Sequence, residues 1–435
     1  MLRRLLYIAA LALAVAACSG TATDTTGADP TLGSGNGTTG STGGDVTTTT
    51  LAEPTWTELD GLDELPQEVQ DELLELVRVT EELRGLRFIN PPLITLVTDA
   101  ELERRVRALF EEDAGDFPAD DALYKLLGLL DEDTDLEQLL TDLYGEQVAG
   151  FYDGETGELV VPIRDDGFSV AQRATMVHEL THSLTDQHFA FDPILQTMFD
   201  DDRLDEVSNY QALVEGDATL TELFYLQGLS QRELGEFFAE GLNIDTSTLD
   251  SAPQFIRDSL FFPYDSGLVF VQTLHDAGDW AAVNRAYGTL PGLPGSTEQV
   301  FTPSDYERDL PLEVEATPIA LPGYDLERQS VWGELGFRLM LDQVLGEADG
   351  LTASDGWGGD TYFQWFDGSN AAMLLIYEGD TDQDLEEMKD ALVDYALAAV
   401  ADEDFVWVEI FDDQLTFIVA DENSVGEILR ASFQE

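Results

Sequence analysis

Beyond Pro54 the apolar residues recur in two patterns, one at helical spacing and one in short continuous runs. Val69, Leu73, Leu74, Leu76, Val77 and Leu83 fall at three- and four-residue steps, which predicts a helix over 66–84. Residues 86–98 read as strand material interrupted by Pro91 and Pro92; a helix is expected at 99–112, with shorter helical pieces over 120–144. Two short apolar runs, 147–152 and 158–163, flank a Gly-bearing turn at 153–157 and predict a hairpin that leads directly into a helix over 170–189. On that helix Val170, Ala174, Val177, Thr181 and Leu184 make an apolar stripe with no Gly or Pro among them. A second long helix is expected at 204–228, followed by mixed helical material at 229–290.

The stretch 291–326 is rich in Pro and Gly and has little helix or strand pattern, so it reads as a wrapping segment or a linker. From 328 onward the rhythm changes. A helix at 329–346 precedes strand-like runs at 361–366 and 371–377 and a helix at 382–400; strand-like runs at 404–411 and 414–420 and a short helix from 422 follow. The strand-strand-helix order occurs twice, which predicts a small α+β domain. At the other end, Arg3 and Arg4 precede an apolar run that closes on small residues by position 17, the pattern of a secretory signal. Val15, Ala16, Ala17 and Cys18 resemble the lipobox of bacterial lipoproteins, so Cys18 is the expected lipidation site and membrane anchor. Residues 18–53 are Thr, Gly, Ser and Asp with almost nothing apolar, a flexible tether. The expected organisation is therefore a signal peptide at 1–17, a tether at 18–53, a first folded domain at 54–326 and an α+β domain at 327–435.

Charge narrows the functional classes. Among 435 residues, 20 basic against 88 acidic side chains give a formal net charge of -68. Such a chain repels nucleic acid and anionic lipid surfaces, so no nucleic-acid partner is expected. A dense acidic surface suits a saline or otherwise harsh extracellular setting. The single cysteine excludes an intramolecular disulfide and a Cys-based zinc ribbon.

The chemistry is concentrated in HELTH at 178–182. Residues four apart on a helix differ by about 40° in azimuth, so His178 and His182 share a face and can hold one metal ion between them. Glu179 projects about 100° round from His178, where it can reach a metal-held water without being a ligand. This is the H-E-x-x-H signature of zinc peptidases, whose catalytic sites need a third protein ligand and an open position. His188 has the spacing of a third metzincin histidine. That family, however, has a Gly at the position of Thr185, and on an unbroken helix His188 lies about 240° beyond His182. The other source is an acid on the following helix, where Glu215 stands out between small residues, Gly216 and Ala218.

The segments HELTHSLTDQHF and ALVEGDATL resemble a group of bacterial gluzincin-type metallopeptidases, many of them lipoproteins, with a zinc helix followed by an E-G-x-A helix. FFPYDSGLVFVQTL at 261–274, STEQ at 296–299 and GWGGD at 356–360 are also similar to that group, so the likeness runs from about 147 to 400. The resemblance implies a zincin-like fold and a Zn2+ ion held by His178, His182 and Glu215. It also implies Glu179 as general base and an extracytoplasmic peptide or protein as substrate. Gluzincins often brace a zinc histidine with an Asp four residues after the ligand Glu; here that position is Thr219, and Asp217 and Asp186 are the substitutes at hand. An oxyanion donor is expected as well, with Tyr264 and His275 as candidates that also have structural readings. GWGGD could shape a cleft or be only a turn with a packed aromatic. The competing class is a non-catalytic envelope lipoprotein that uses a zincin-like fold as a binding module.

Overall fold

The computed structural model describes Leu62 and residues 65–433, other than 114–116, 164–166, 289–292 and 305. The expected signal peptide, Cys18 and the tether lie outside the described residues. No helix among those described is long and apolar enough to cross a membrane.

The molecule is α+β, with two sheets embedded in helices. Helix α1 (Gln67–Arg84) leads to strand β1 (Leu93–Val97), helices α2 (Asp99–Asp113), α3 (Pro118–Leu126) and α4 (Leu136–Gln147), and the hairpin of β2 (Phe151–Asp153) and β3 (Glu158–Pro162). Helix α5 (Val170–Phe189) carries HELTH, and α6 (Phe191–Asp200) and α7 (Leu204–Gly228) follow. Helices α8 (Gln231–Gly241), α9 (Ser247–Ser251), α10 (Gln254–Ala286) and α11 (Thr297–Phe301) complete this part. The second sheet comes from β4 (Asp325–Ser330), helices α12 (Gly333–Leu345) and α13 (Glu347–Ser354), then β5 (Trp357–Phe366) and β6 (Ala371–Gly379). Helix α14 (Asp382–Ala399), β7 (Phe405–Phe411), β8 (Gln414–Ala420) and α15 (Asn423–Ala431) close the chain.

The small sheet has the order β1-β3-β2, with β1 parallel and β2 antiparallel to β3. The strand that feeds α5 is therefore paired on both sides, and β2, not β3, is the free edge on the hairpin side. The large sheet has the order β4-β5-β6-β8-β7 and all its pairings are antiparallel. Both faces of its middle strands are buried, which explains the unbroken apolar run 371–377. Met373, Leu375 and Tyr377 join one core with Leu392 and Tyr395 of α14 and with Leu123 and Leu126 of α3. Leu374 and Ile376 join another with Val425 and Leu429 of α15.

Several expected spans shift. Residues 329–330 belong to β4, because Ser330 pairs with Tyr362, and the helix begins only at Gly333. Of GWGGD only Gly356 is in a turn; Trp357, a packed aromatic at 1% exposure, opens β5 and the remaining three residues continue that strand. The stretch 291–326 contains α11 and the start of β4. The boundary expected at 326/327 falls inside β4, and the largest core crosses it: the Tyr395 hydroxyl, for example, donates to Leu127 O at 2.5 Å.

Candidate metal centre

Helix α5 starts where Ser169 and Gln172 form a reciprocal capping box. It then runs unbroken, buried on every side between Met176 and Thr185. Burial of its hydroxyls is satisfied locally: Thr181 donates to Val177 O at 2.7 Å and Thr185 to Thr181 O at 2.8 Å. His188 ends the helix and meets Arg87 O at 2.6 Å, away from the other histidines, as expected of an unbroken helix.

Helix α7 packs across α5 and brings Glu215 to the histidine pair. His178 Nε2 lies 3.2 Å and His182 Nε2 3.3 Å from the same oxygen, Glu215 Oε2. All three residues are buried, at 2%, 5% and 5% exposure. Donor atoms bound about 2.0–2.1 Å from one tetrahedral centre stand about 3.3 Å apart. Two imidazoles and a carboxylate converging at that spacing suit a zinc ion, and one coordination position stays free.

Glu222 completes the arrangement. It lies two helical turns after Glu215 on the same face of α7, and its Oε2 stands 3.3 Å from His178 Nδ1. A carboxylate on Nδ1 leaves Nε2 as the nitrogen that faces Glu215, which orients the ring as metal-binding histidines require. The brace is thus neither of the two acids named from the sequence. Asp217 forms a fully buried pair with Arg84 at 2.6 Å and accepts from the Tyr287 hydroxyl at 2.9 Å. Asp186 accepts from the Tyr152 hydroxyl at 2.9 Å and from Asp192 N at 3.1 Å. Glu222 could have been found from its seven-residue step beyond Glu215, but nothing distinguished it from the other acids.

Glu179 is fully buried beside the two histidines, and neither of its carboxylate oxygens has a hydrogen-bond partner. Burial pushes its carboxyl up to about 7, with His182 and His178 pulling the other way. Glu215 goes down instead, to about 2: burial opposes this, but the two histidines outweigh it. His178 is held up at about 10, since Glu215 and Glu222 outweigh the burial that would discharge it. Without a metal the cluster therefore stores positive charge as a proton, as expected of a site whose carboxylates face a common cation.

Helix α10 closes the other side. A Cβ on Gly216 would stand 2.1 Å from Gly267 O, and one on Gly267 would stand 2.3 Å from Ala212 O. Backbone touches backbone at this crossing, and one turn before it Tyr264 stacks on the His178 ring with centroids 6.3 Å apart. Burial, the Glu215 charge and a hydrogen bond to Glu215 all hold the Tyr264 hydroxyl in its neutral form. Of the two oxyanion candidates, Tyr264 is therefore at the site. His275 is packed between Phe224 and Trp280. A cavity of about 260 Å³ opens beside Glu215 and Tyr264, lined largely by apolar and aromatic side chains including Tyr144, Phe255, Phe262 and Leu339.

Residues 322–432, which span β4 to α15, match a protein family described as a domain of unknown function, DUF8575. The matched segment leaves the HELTH helix outside. Comparison with curated proteins yields no match. Among solved structures, a crystal structure from Chloroflexus aurantiacus titled "a putative hydrolase with a novel fold" is similar over 55% of this chain and 88% of its own, at 16% identity and a TM-score of 0.37. A likeness at that level assigns neither fold nor activity.

Proposed function

We propose that the protein is a zinc-dependent metallopeptidase of zincin-like fold, anchored outside the cell membrane by a lipid on Cys18 and cleaving extracytoplasmic peptides or proteins. The observation that carries the reading is the convergence of His178 Nε2, His182 Nε2 and Glu215 Oε2, with the unpartnered Glu179 carboxylate on the next position of the same helix. Zinc in such a site acidifies a water and polarises a carbonyl oxygen. The chain supplies the rest. Glu222 fixes the His178 ring, and the Tyr264 hydroxyl steadies Glu215. Glu179, with its carboxyl near neutrality, takes a proton from the attacking water and returns it to the leaving amine. The cavity beside Glu215 suits a bulky apolar or aromatic side chain of the substrate and keeps bulk water from the reacting atoms.

The deciding measurement is zinc content by elemental analysis together with cleavage of a peptide library with and without a chelator. One zinc per chain and chelator-sensitive cleavage, enriched beside large apolar residues, are expected. A chain that binds zinc at His178 and His182 but cleaves nothing would favour the binding-module class.

A further inference from the structure

The STEQ and GWGGD segments play no part in the metal centre, yet they meet at a second cluster. Glu298, in α11, is 5% exposed, and its carboxylate has no hydrogen-bond or ion-pair partner among the described residues. It is aimed at Asp309 and Asp380: one carboxylate oxygen from each of the three lies within 4.8 Å of the others. The stretch 296–312 and the ends of β5 and β6 at 356–358 and 380 are held there by bonds that do not involve these carboxylates. Gln299 Nε2 donates to Tyr306 O at 2.7 Å and also to Asp309 O, which pins the loop after α11. Leu312 N donates to Gly358 O at 2.7 Å, and Asp380 N to Gly356 O at 3.0 Å. The glycines of GWGGD permit this crowding. A Cβ on Gly359 would lie 2.4 Å from Leu312 O, and one on Gly356 would lie 2.3 Å from Asp384 Cγ.

Close packing thus forces three acids together and leaves the buried one without a partner. Like charges at this distance repel unless a cation lies between them or one of them takes up a proton. We propose that Glu298, Asp309 and Asp380 bind a calcium ion that ties the loop after α11 to the β6–α14 turn of the five-stranded sheet. The donors are all carboxylate oxygens, which selects a hard cation over zinc. Asp309 and Asp380 are progressively more exposed, so water can fill the remaining positions of a calcium shell. The site is separate from the His178 centre, and the inference does not rest on that reading.

Calcium binding to the full chain, first stripped with a chelator, tests this by equilibrium dialysis with radioactive calcium at about 2 mM, in about 0.5 M KCl to screen diffuse surface binding. One calcium per chain is expected above the background set by Glu298→Gln, which should bind none specifically. Asp380→Asn, at an exposed position, should weaken binding by at least about tenfold without disturbing the fold. Glu386→Gln, an exposed acid elsewhere, should leave it unchanged. The wild-type Tm should also rise with calcium by about two degrees or more, and both site variants should lose that rise. Equal calcium uptake by wild type, Glu298→Gln and Asp380→Asn would overturn the proposal, as would no uptake above background by the wild type.

Discussion

At the scale of single residues, Glu179 carries the most testable chemistry. Its carboxylate is buried, unpartnered and held up at about 7. Glu179→Gln keeps the shape and removes the base, so zinc should remain at one per chain while kcat falls by about 10²–10⁴-fold. Undiminished kcat in that variant would end the mechanism. The same residue has a signature in stability. Its folded value lies above the ordinary carboxyl value of about 4.3, so the neutral side chain favours the fold. That contribution is fully present below about pH 4 and is lost as pH rises through 7. Metal-free wild type should therefore lose more Tm between pH 5 and pH 8 than metal-free Glu179→Gln does; parallel curves would contradict the assigned shift. Glu222 acts differently, through the ring it holds. Glu222→Gln should weaken zinc about 10–100-fold while kcat at saturating zinc stays near the wild-type value.

At the scale of elements, the site depends on the crossing of α7 and α10. Gly216 sits next to Glu215, and a methyl group there meets the Gly267 carbonyl. Gly216→Ala should destabilise by about 1–3 kcal/mol, and, because the helix must move to relieve the clash, zinc should bind more weakly as well. On α8, a methyl group added to Gly235 would meet nothing within 4 Å, so Gly235→Ala should instead stabilise by about 0.5–1 kcal/mol. Urea midpoints read both signs. The small residues beside Glu215 were legible as a close contact, but not that α10 makes it: a glycine in a helical pattern announces a neighbour without naming it. The histidine pair was legible because both ligands lie on one helix, where spacing alone sets azimuth. Glu222 was not, because its partner lies 44 residues away and one carboxylate in a very acidic chain looks like another. Strand order was equally silent. A short apolar run after a Gly-bearing turn marks β3 as a strand, but its parallel pairing with β1 is made across 60 intervening residues, 98–157. GWGGD was legible only in part: Gly356 is the expected turn and Trp357 the packed aromatic, but Gly358 and Gly359 serve a tertiary approach inside a strand, where composition alone suggests more turn.

At the scale of the whole molecule, two populations of acids make different demands, and salt separates them. Surface carboxylates account for most of the net charge of -68, and their mutual repulsion weakens the fold over long distances. A second group is buried. Burial pushes Asp205 up to about 7 against its bonds from Thr297, and Glu334 up to about 7 against Arg338. It pushes Asp360 up to about 6 against its bonds from Trp332, Gly333 and Trp357. These folded values lie above the ordinary carboxyl value of about 4, so the stability they contribute is full below pH 4 and is lost as pH rises through 6 to 7. Glu215 has the opposite sign: its value near 2 means that its contribution is lost below about pH 4. Stability of the metal-free chain should therefore peak on the mildly acidic side, near pH 5, and decline toward pH 8. Molar KCl screens exposed charges within a few ångströms but reaches buried ones poorly, so it should raise Tm at both pH 5 and pH 8. The difference between the two pH values should survive in molar salt, because buried groups set it: these acids, Glu179, and His178, whose raised value of about 10 makes its contribution fade as pH rises above about 6.5. A difference that collapsed in molar KCl would place the pH dependence on the surface and remove the buried groups as its cause. A Tm that fell on adding salt would refute the reading of the acidic surface as a saline adaptation.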